Sequence, residues 1–490
     1  MVIQVCSALL LCLATAVQED AAPREADFYR IVTFPTPEGL VLEVSGIAIL
    51  PDRRPIVCTR RGEVFIVENA YADDPAEVAF VPFLEGLQEP LGLLVHEGWI
   101  YATQRGELSR FRDSNGDGHA DELETVCDLW SISGNYHEYC FGPRLGPDGN
   151  FWITTNKPFG DQPFGKVKWR GFAHRITPEG ELIPTCSGLR SPAGIEISPW
   201  GDAFYTDNQG EWCGASKLAQ LEPGDFHGHP HGLASCEDPL WPYEPVPDPP
   251  DGEPMPKVKA KIPAFKLPAV WFPYDKMGQS PGGIVWDQTS GIFGPFAGQA
   301  FVADQHHATV MRVFLERVNG HWQGACFPFR EGFQCGIIRI AFDAEGRMLA
   351  GETNRGWGSK GSKTFGLERL EWTGAVPFEV HEMRAESDGF TLAFTQPVDR
   401  GTAADVASYR MESYTYLLHE AYGSPEVERE DLVIERATVA EDRLSVHLAV
   451  SGLRSGYVHE LHSDGVRAGS GVPLLHPEAY YTLIEIPAAD

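Results

Sequence analysis

Twelve consecutive residues, Asp113-Ser-Asn-Gly-Asp-Gly-His-Ala-Asp-Glu-Leu-Glu124, concentrate oxygen ligands at the spacing by which a short loop wraps a calcium-sized cation. Asp113, Asn115, Asp117 and Asp121 stand at its first, third, fifth and ninth places, with Gly118 at the sixth where the chain must turn sharply. His119 would offer its carbonyl, and Glu124 closes the loop at the twelfth place. The flanks Leu108–Phe111 and Val126–Leu129 read as strands rather than the helices of an EF-hand. The expectation is therefore a calcium loop at a hairpin tip, structural rather than catalytic, with Glu124 far down the second strand. A polar turn that binds nothing is the alternative.

Four other stretches gather groups able to move protons or hold ligands. In Asn135-Tyr-His-Glu-Tyr-Cys-Phe-Gly-Pro-Arg144, His137 stands beside Glu138 and is a candidate general base. Gly188-Leu-Arg-Ser-Pro-Ala-Gly194 leads through a strand to the polar turn Asp207-Asn-Gln-Gly-Glu-Trp212. His227-Gly-His-Pro-His231 is either a transition-metal site or a supporting turn, and Asp304-Gln-His-His307 closes another strand. No Gly-x-Ser-x-Gly elbow and no dinucleotide fingerprint is present, which argues against serine hydrolysis and nicotinamide chemistry.

The elements that must position these groups repeat. Apolar strand pairs begin at Gly46, Leu91, Pro143, Gly194, Gly283 and Ile340, each with a Gly- or Asp-containing turn. Copies about fifty residues apart, built of short strands, are the signature of propeller blades. The expected fold is all-β, a six-bladed β-propeller over residues 27–375. A Pro-rich insertion at about 223–281 would form a lid or wall beside the channel. Beyond Trp372, alternating strands such as Leu444-Ser-Val-His-Leu-Ala-Val predict a small accessory β-sandwich over 378–490.

Residues 1–16 read as a signal peptide ending in Ala14-Thr-Ala16, with a lipoprotein through Cys12 as the alternative; no other run is long enough to span a bilayer. The expected location is exported, periplasmic or extracellular. Eight cysteines would remain, some paired and the rest buried thiols. There is no Cys-x-x-Cys-His motif, so the chain brings no c-type haem. A net charge of −30 argues against nucleic acid and anionic membrane as partners.

The order Gly-Leu-Arg-x-Pro-x-Gly, strand, Asp-Asn-x-Gly turn, then a Gly-rich turn near Pro resembles the soluble quinoprotein glucose/sorbosone dehydrogenases. Phe293-Gly-Pro-Phe, Phe329-Arg-Glu-Gly and Asn354-Arg-Gly-Trp-Gly also resemble secreted bacterial propellers of poorly defined activity. The first resemblance implies a six-bladed propeller using pyrroloquinoline quinone and calcium to oxidise a sugar or polyol. It places His137 as the base for the substrate hydroxyl, and Arg190 and Ser191 against the quinone. Gln209, Gly210 and Glu211 fall at the cofactor calcium turn, and Gln88 at a cofactor contact. This chain has Tyr136 and Ser191 where that family has Asp and Asn, and its calcium turn lacks the family's Gly-Pro step. Arg144, Arg312, Arg330, Arg355, Lys360 and Lys363 are the cations available for the quinone carboxylates, and Trp357 could stack on its ring. Electrons would pass to a separate acceptor. The alternatives are a metal-dependent propeller hydrolase or lactonase, with Asp207 and Asn208 as ligands, and a non-catalytic module binding glycan or protein.

Overall fold

The second strand of most repeats is buried along its whole length, as in Pro55–Thr59, Phe151–Thr155, Ala203–Asp207, Ala300–Asp304 and Met348–Thr353. A strand covered on both faces needs a continuous apolar or small-residue run rather than alternation, and these sequences supply it. The computed structural model describes residues 23–160 and 167–489. The signal-peptide reading falls outside the described residues.

Five four-stranded antiparallel sheets stand alone. Four are continuous in sequence, from Val44–Ile49 to Ala79–Leu84, Leu93–His96 to Glu122–Cys127, Cys140–Leu145 to Leu182–Ser187, and Pro192–Ile197 to Val270–Phe272. The fifth joins Ile337–Phe342, Met348–Thr353 and Phe365–Trp372 to the N-terminal strand Tyr29–Thr33, so the two ends of the propeller are tied by hydrogen bonds. The remaining repeat, Pro281–Trp286 to His321–Arg330, is not a separate sheet. Cys326 pairs with Tyr480, and the ladder runs on through Glu478–Leu483 into the C-terminal strands to make eleven strands.

Five blades therefore stand as sheets of their own where six were expected, and the sixth repeat is joined to the C-terminal strands. The C-terminal strands share both a sheet and a core with the propeller: Phe314, Ala325 and Phe327 are buried together with Phe390, Leu448 and Tyr481. Of the insertion, Gln279, Ser280 and Pro281 line the candidate cavity as a wall, and much of the rest packs as core. Phe226, Met255, Val258 and Phe265 pack with Trp271, Tyr416 and Leu418, wedging the propeller against the C-terminal unit, and Val270–Phe272 completes the fourth sheet.

The first strands of successive repeats neighbour one another in chain order, and Ile337–Phe342 returns to Val44–Ile49. Such close approach depends on glycine. A side chain at Gly92 would collide with the carbonyl of Gly142, and one at Gly194 with that of Gly282. In the middle of this ring Arg339 is fully buried and donates to the carbonyls of Ser45 (3.0 Å), Leu91 (2.9 Å) and Ala193 (2.6 Å). Burial pushes its guanidinium down to about 9. All eight cysteines of the described residues are free thiols, so the expected disulfides do not form.

Candidate functional site

Above Arg339 lies a cavity of about 380 Å³, lined by Leu91, Ala193 and Ile338 at the ring and by loops from several repeats above it. Ligand sites commonly sit at such convergences. Six residues or turns singled out in the sequence meet here: His137, Arg190, Ser191, Gln209 with Glu211, Arg355 and Trp357.

His137 is placed by a tight turn. Asn135 Oδ1 accepts the His137 backbone N–H (3.0 Å), and Glu138 closes the turn by accepting from the N–H groups of Ser133 (2.8 Å) and Gly134 (3.1 Å). Glu138 is thus spent on the backbone, and what holds the imidazole is different. Its Nδ1 lies 2.6 Å from the Lys157 carbonyl, which can only accept, so Nδ1 carries the proton. Nε2 therefore presents its lone pair, 2.9 Å from Ser191 Oγ. Phe159 stacks on the ring at 3.6 Å. Burial, then the charge of Arg190, pulls the imidazole down to about 3, so it stays neutral across the working range of pH.

Arg190 and Ser191 are fixed by the end of the neighbouring strand. The buried carboxylate of Asp207 accepts both of their backbone N–H groups, at 3.0 and 2.6 Å. The Arg190 guanidinium grips Glu211 through Nε (3.0 Å) and Nη2 (2.9 Å), and Lys157 pairs with the other Glu211 oxygen. Burial alone would raise this carboxyl, yet Arg190 and Lys157 hold it down to about 2. Asn156 and Asn208 donate to Ser191 Oγ at 3.2 and 3.3 Å, leaving both amide oxygens buried without a partner at the cavity wall.

Sequence reasoning missed several members. Arg60 lines the cavity, donates to Glu89 (3.0 Å) and to the Arg355 carbonyl (2.6 Å), and lies over Tyr139. Tyr136 was passed over as a departure from the family pattern, and Tyr422 comes from the C-terminal unit. No local motif announces Arg60 or Tyr422, because each reaches the site only through the fold.

Other expected members lie elsewhere. Gln88 is exposed and absent from the cavity wall, its N–H bound to the Gln104 side chain. The Lys360 N–H donates to the His306 carbonyl, and Lys360 borders a different cleft beside Arg330 and Glu368. Arg312 is sunk against Gln299 and the carbonyls of Val380 and His381, Arg144 pairs with Glu196, and Arg330 with Glu25.

The acidic loop does sit at the tip of the hairpin Leu108–Arg112/Glu122–Cys127. Its oxygens, however, serve the loop itself. Asp113 accepts the N–H groups of Gly116 (2.6 Å) and Gly118 (2.8 Å), which hold its carboxyl below the usual range. Asn115 and Asp117 accept the N–H groups of Asp117 (2.9 Å) and His119 (3.0 Å). Asp121 accepts from Ser114 and Asn115, and Glu124 pairs with Arg110 in the strand. Among the described residues no three Asp, Glu, His or Cys side chains converge as a metal site, neither here nor at His227, His229 and His231.

Residues 51–235 match a domain of unknown function, DUF7133. No curated protein matches the chain. Among solved structures, the quinone-bound aldose sugar dehydrogenase of Streptomyces coelicolor is 17% identical, covering 72% of this chain and 100% of its own, with a TM-score of 0.47. The soluble aldose sugar dehydrogenase of Escherichia coli, in its apo form, is 15% identical over 70% of this chain and 99% of its own, with a TM-score of 0.46. A Trichoderma reesei carbohydrate-active enzyme of family AA12 is 13% identical over 72% and 98%, with a TM-score of 0.50. No helix among the described residues is long and apolar enough to cross a membrane. The chain is an all-β propeller, and solved structures similar to it are aldose sugar dehydrogenases, one of them with its quinone bound.

Proposed function

We propose that this chain is an exported dehydrogenase that oxidises a sugar or polyol with pyrroloquinoline quinone, passing electrons to an acceptor outside the chain. The observation that carries this reading is His137: a neutral imidazole whose unprotonated Nε2 faces a cavity edged by three guanidinium groups. The residues present suit the cofactor. Arg60, Arg190 and Arg355 match a polycarboxylate, although each now leans on an acid, Glu89, Glu211 and Glu43 respectively. The unpartnered oxygens of Asn156 and Asn208 suit hydroxyl donors.

When bound, the quinone supplies the hydride acceptor. The rest falls to the protein. Asn156 and Asn208 orient the substrate hydroxyls, and the Lys157 carbonyl fixes the tautomer of His137. Nε2 takes the hydroxyl proton, directly on displacing Ser191 Oγ or through that hydroxyl as a relay. Carboxylates at Arg190 would offset the charge that depresses His137 and so raise its basicity at the moment it is needed.

Dye reduction by the purified chain with pyrroloquinoline quinone, calcium and a panel of aldoses and polyols tests this directly. Quinone-dependent turnover that falls by about two to four orders of magnitude in His137→Ala is expected. A chain that neither binds the quinone nor turns over would sink the reading.

A further inference from the structure

Large aromatic side chains rarely stand in water without a reason when several point into one place. Among the described residues only four Trp, Tyr or Phe side chains are exposed: Tyr136 (57%), Trp200 (53%), Trp357 (40%) and Tyr422 (56%). Trp200 rests against Trp322. The other three all line the candidate cavity. Tyr136 belongs to the third repeat's turn, Trp357 to the last repeat, and Tyr422 to the C-terminal unit, so the convergence is made by tertiary structure alone.

Tyr422 is held there by a dedicated set of backbone contacts. Trp212 N–H donates to the His419 carbonyl (2.7 Å), Gly423 N–H to that of Gly210 (3.1 Å), and Ser424 N–H to that of Gly214 (2.8 Å). Gly423 has a φ of +66°, and a side chain there would strike Gln209, so the loop lies as close to the 209–214 turn as a backbone can. This sets the Tyr422 ring over the Arg190 guanidinium, 5.3 Å from ring centre to Cζ, with most of its surface still free.

We propose that Tyr422 is a sugar-stacking residue contributed by the C-terminal unit, and that with Tyr136 and Trp357 it selects saccharides of more than one ring. The inference deepens the sugar-oxidising reading and rests on it. The C–H face of a pyranose ring is apolar and carries slight positive charge, which complements the negative face of an aromatic ring, while the tyrosine hydroxyl can bond to the sugar's rim. The reacting ring must enter the cavity to reach His137. Tyr422 lines the same cavity yet keeps 56% of its surface exposed, so it is placed to meet the next ring of the saccharide and not the reacting one.

Calorimetric titration of the full chain with glucose, maltose and cellobiose tests the proposal, using wild type, Tyr422→Ala and Tyr422→Phe. At least one disaccharide should bind about tenfold tighter than glucose to wild type. That advantage should shrink to within about twofold in Tyr422→Ala and persist in Tyr422→Phe. If Tyr422→Ala melts early, Tyr422→Leu, which keeps bulk without a π face, is read in its place. An unchanged disaccharide advantage in the variant overturns the proposal, and so does wild type that favours no disaccharide. Quinone-dependent turnover by wild type is scored separately, so loss of the dehydrogenase reading and loss of the stacking role give different results.

Discussion

Ser191 Oγ lies 2.9 Å from His137 Nε2, so the one imidazole nitrogen free to accept a proton already holds a hydroxyl. That hydroxyl marks where a substrate hydroxyl would bind. Because Nδ1–H is committed to the Lys157 carbonyl and burial keeps the ring neutral, Nε2 is in the resting state an acceptor only, and the Ser191 hydroxyl donates to it.

The pH dependence of turnover follows. A base works only when unprotonated, so activity should be level from neutral pH down to about pH 5 and fall on the acid side of that, towards the depressed His137 value of about 3, with cofactor carboxylates at Arg190 moving the fall upward from it. Steady-state dye reduction across pH, corrected for unfolding, checks this. A steep loss between pH 7 and 6 would mean that an unperturbed histidine is the base.

Glu211→Gln should destabilise the fold by about 2–4 kcal/mol, because it strips both Arg190 and Lys157 of their shared carboxylate in a largely buried setting. The same change should tighten binding of small polycarboxylates, since the guanidinium then faces the cavity without competition. Urea unfolding and titration with citrate measure the two effects, which should move in opposite directions.

Acid should unfold this protein through its histidines. Besides His137, burial holds His174 to about 3 and His459 to about 3, and keeps His227 and His229 well below their ordinary range. Each binds a proton more readily when unfolded, so stability is fully present above pH 6.5 and lost as pH falls from there. At pH 5 each group that stays neutral costs about 2 kcal/mol. His476 runs the other way. Glu25 and Glu379 outweigh its burial and raise it to about 10, so its contribution is fully present below about pH 6.5 and is lost progressively as pH rises from there through about 10. Melting temperatures between pH 8 and pH 4.5 should therefore fall steeply on the acid side, and a flat profile would refute the buried neutral histidines.

Calcium should leave the melting temperature of the metal-free chain unchanged, because the Asp113–Asp121 carboxylates are already satisfied by loop donors and Glu124 by Arg110. A rise of several degrees at millimolar calcium, removed by chelator and by Asp113→Ala, would restore the loop as a metal site.

The repeats were readable because each buried strand pair declares itself locally, as Ala203–Asp207 and Ala300–Asp304 do through unbroken apolar runs ended by Asp. His137, Arg190 and Ser191 were readable for the same reason, each sitting in a turn next to such a strand. Arg60 and Tyr422 were not, since 362 residues of chain separate two side chains that share one cavity. Gln88 came from the family resemblance alone and Lys360 from the count of available cations, and neither signal carries information about which cavity a side chain reaches. The joining of the C-terminal unit to the propeller was not legible, because the alternation in Tyr457–His462 suggests a half-buried strand, whereas its four central residues are buried and its sheet continues through Glu478–Leu483 into the propeller.

The carbonyl-bound Arg339 has a kinetic consequence. Its guanidinium ties together carbonyls from three repeats at the foot of the cavity, where an open propeller axis would otherwise offer a second way through. On the dehydrogenase reading, substrate and product would then use the same side of the ring, the side lined by Tyr136 and Tyr422. High concentrations of product should for that reason block the entrance to fresh substrate.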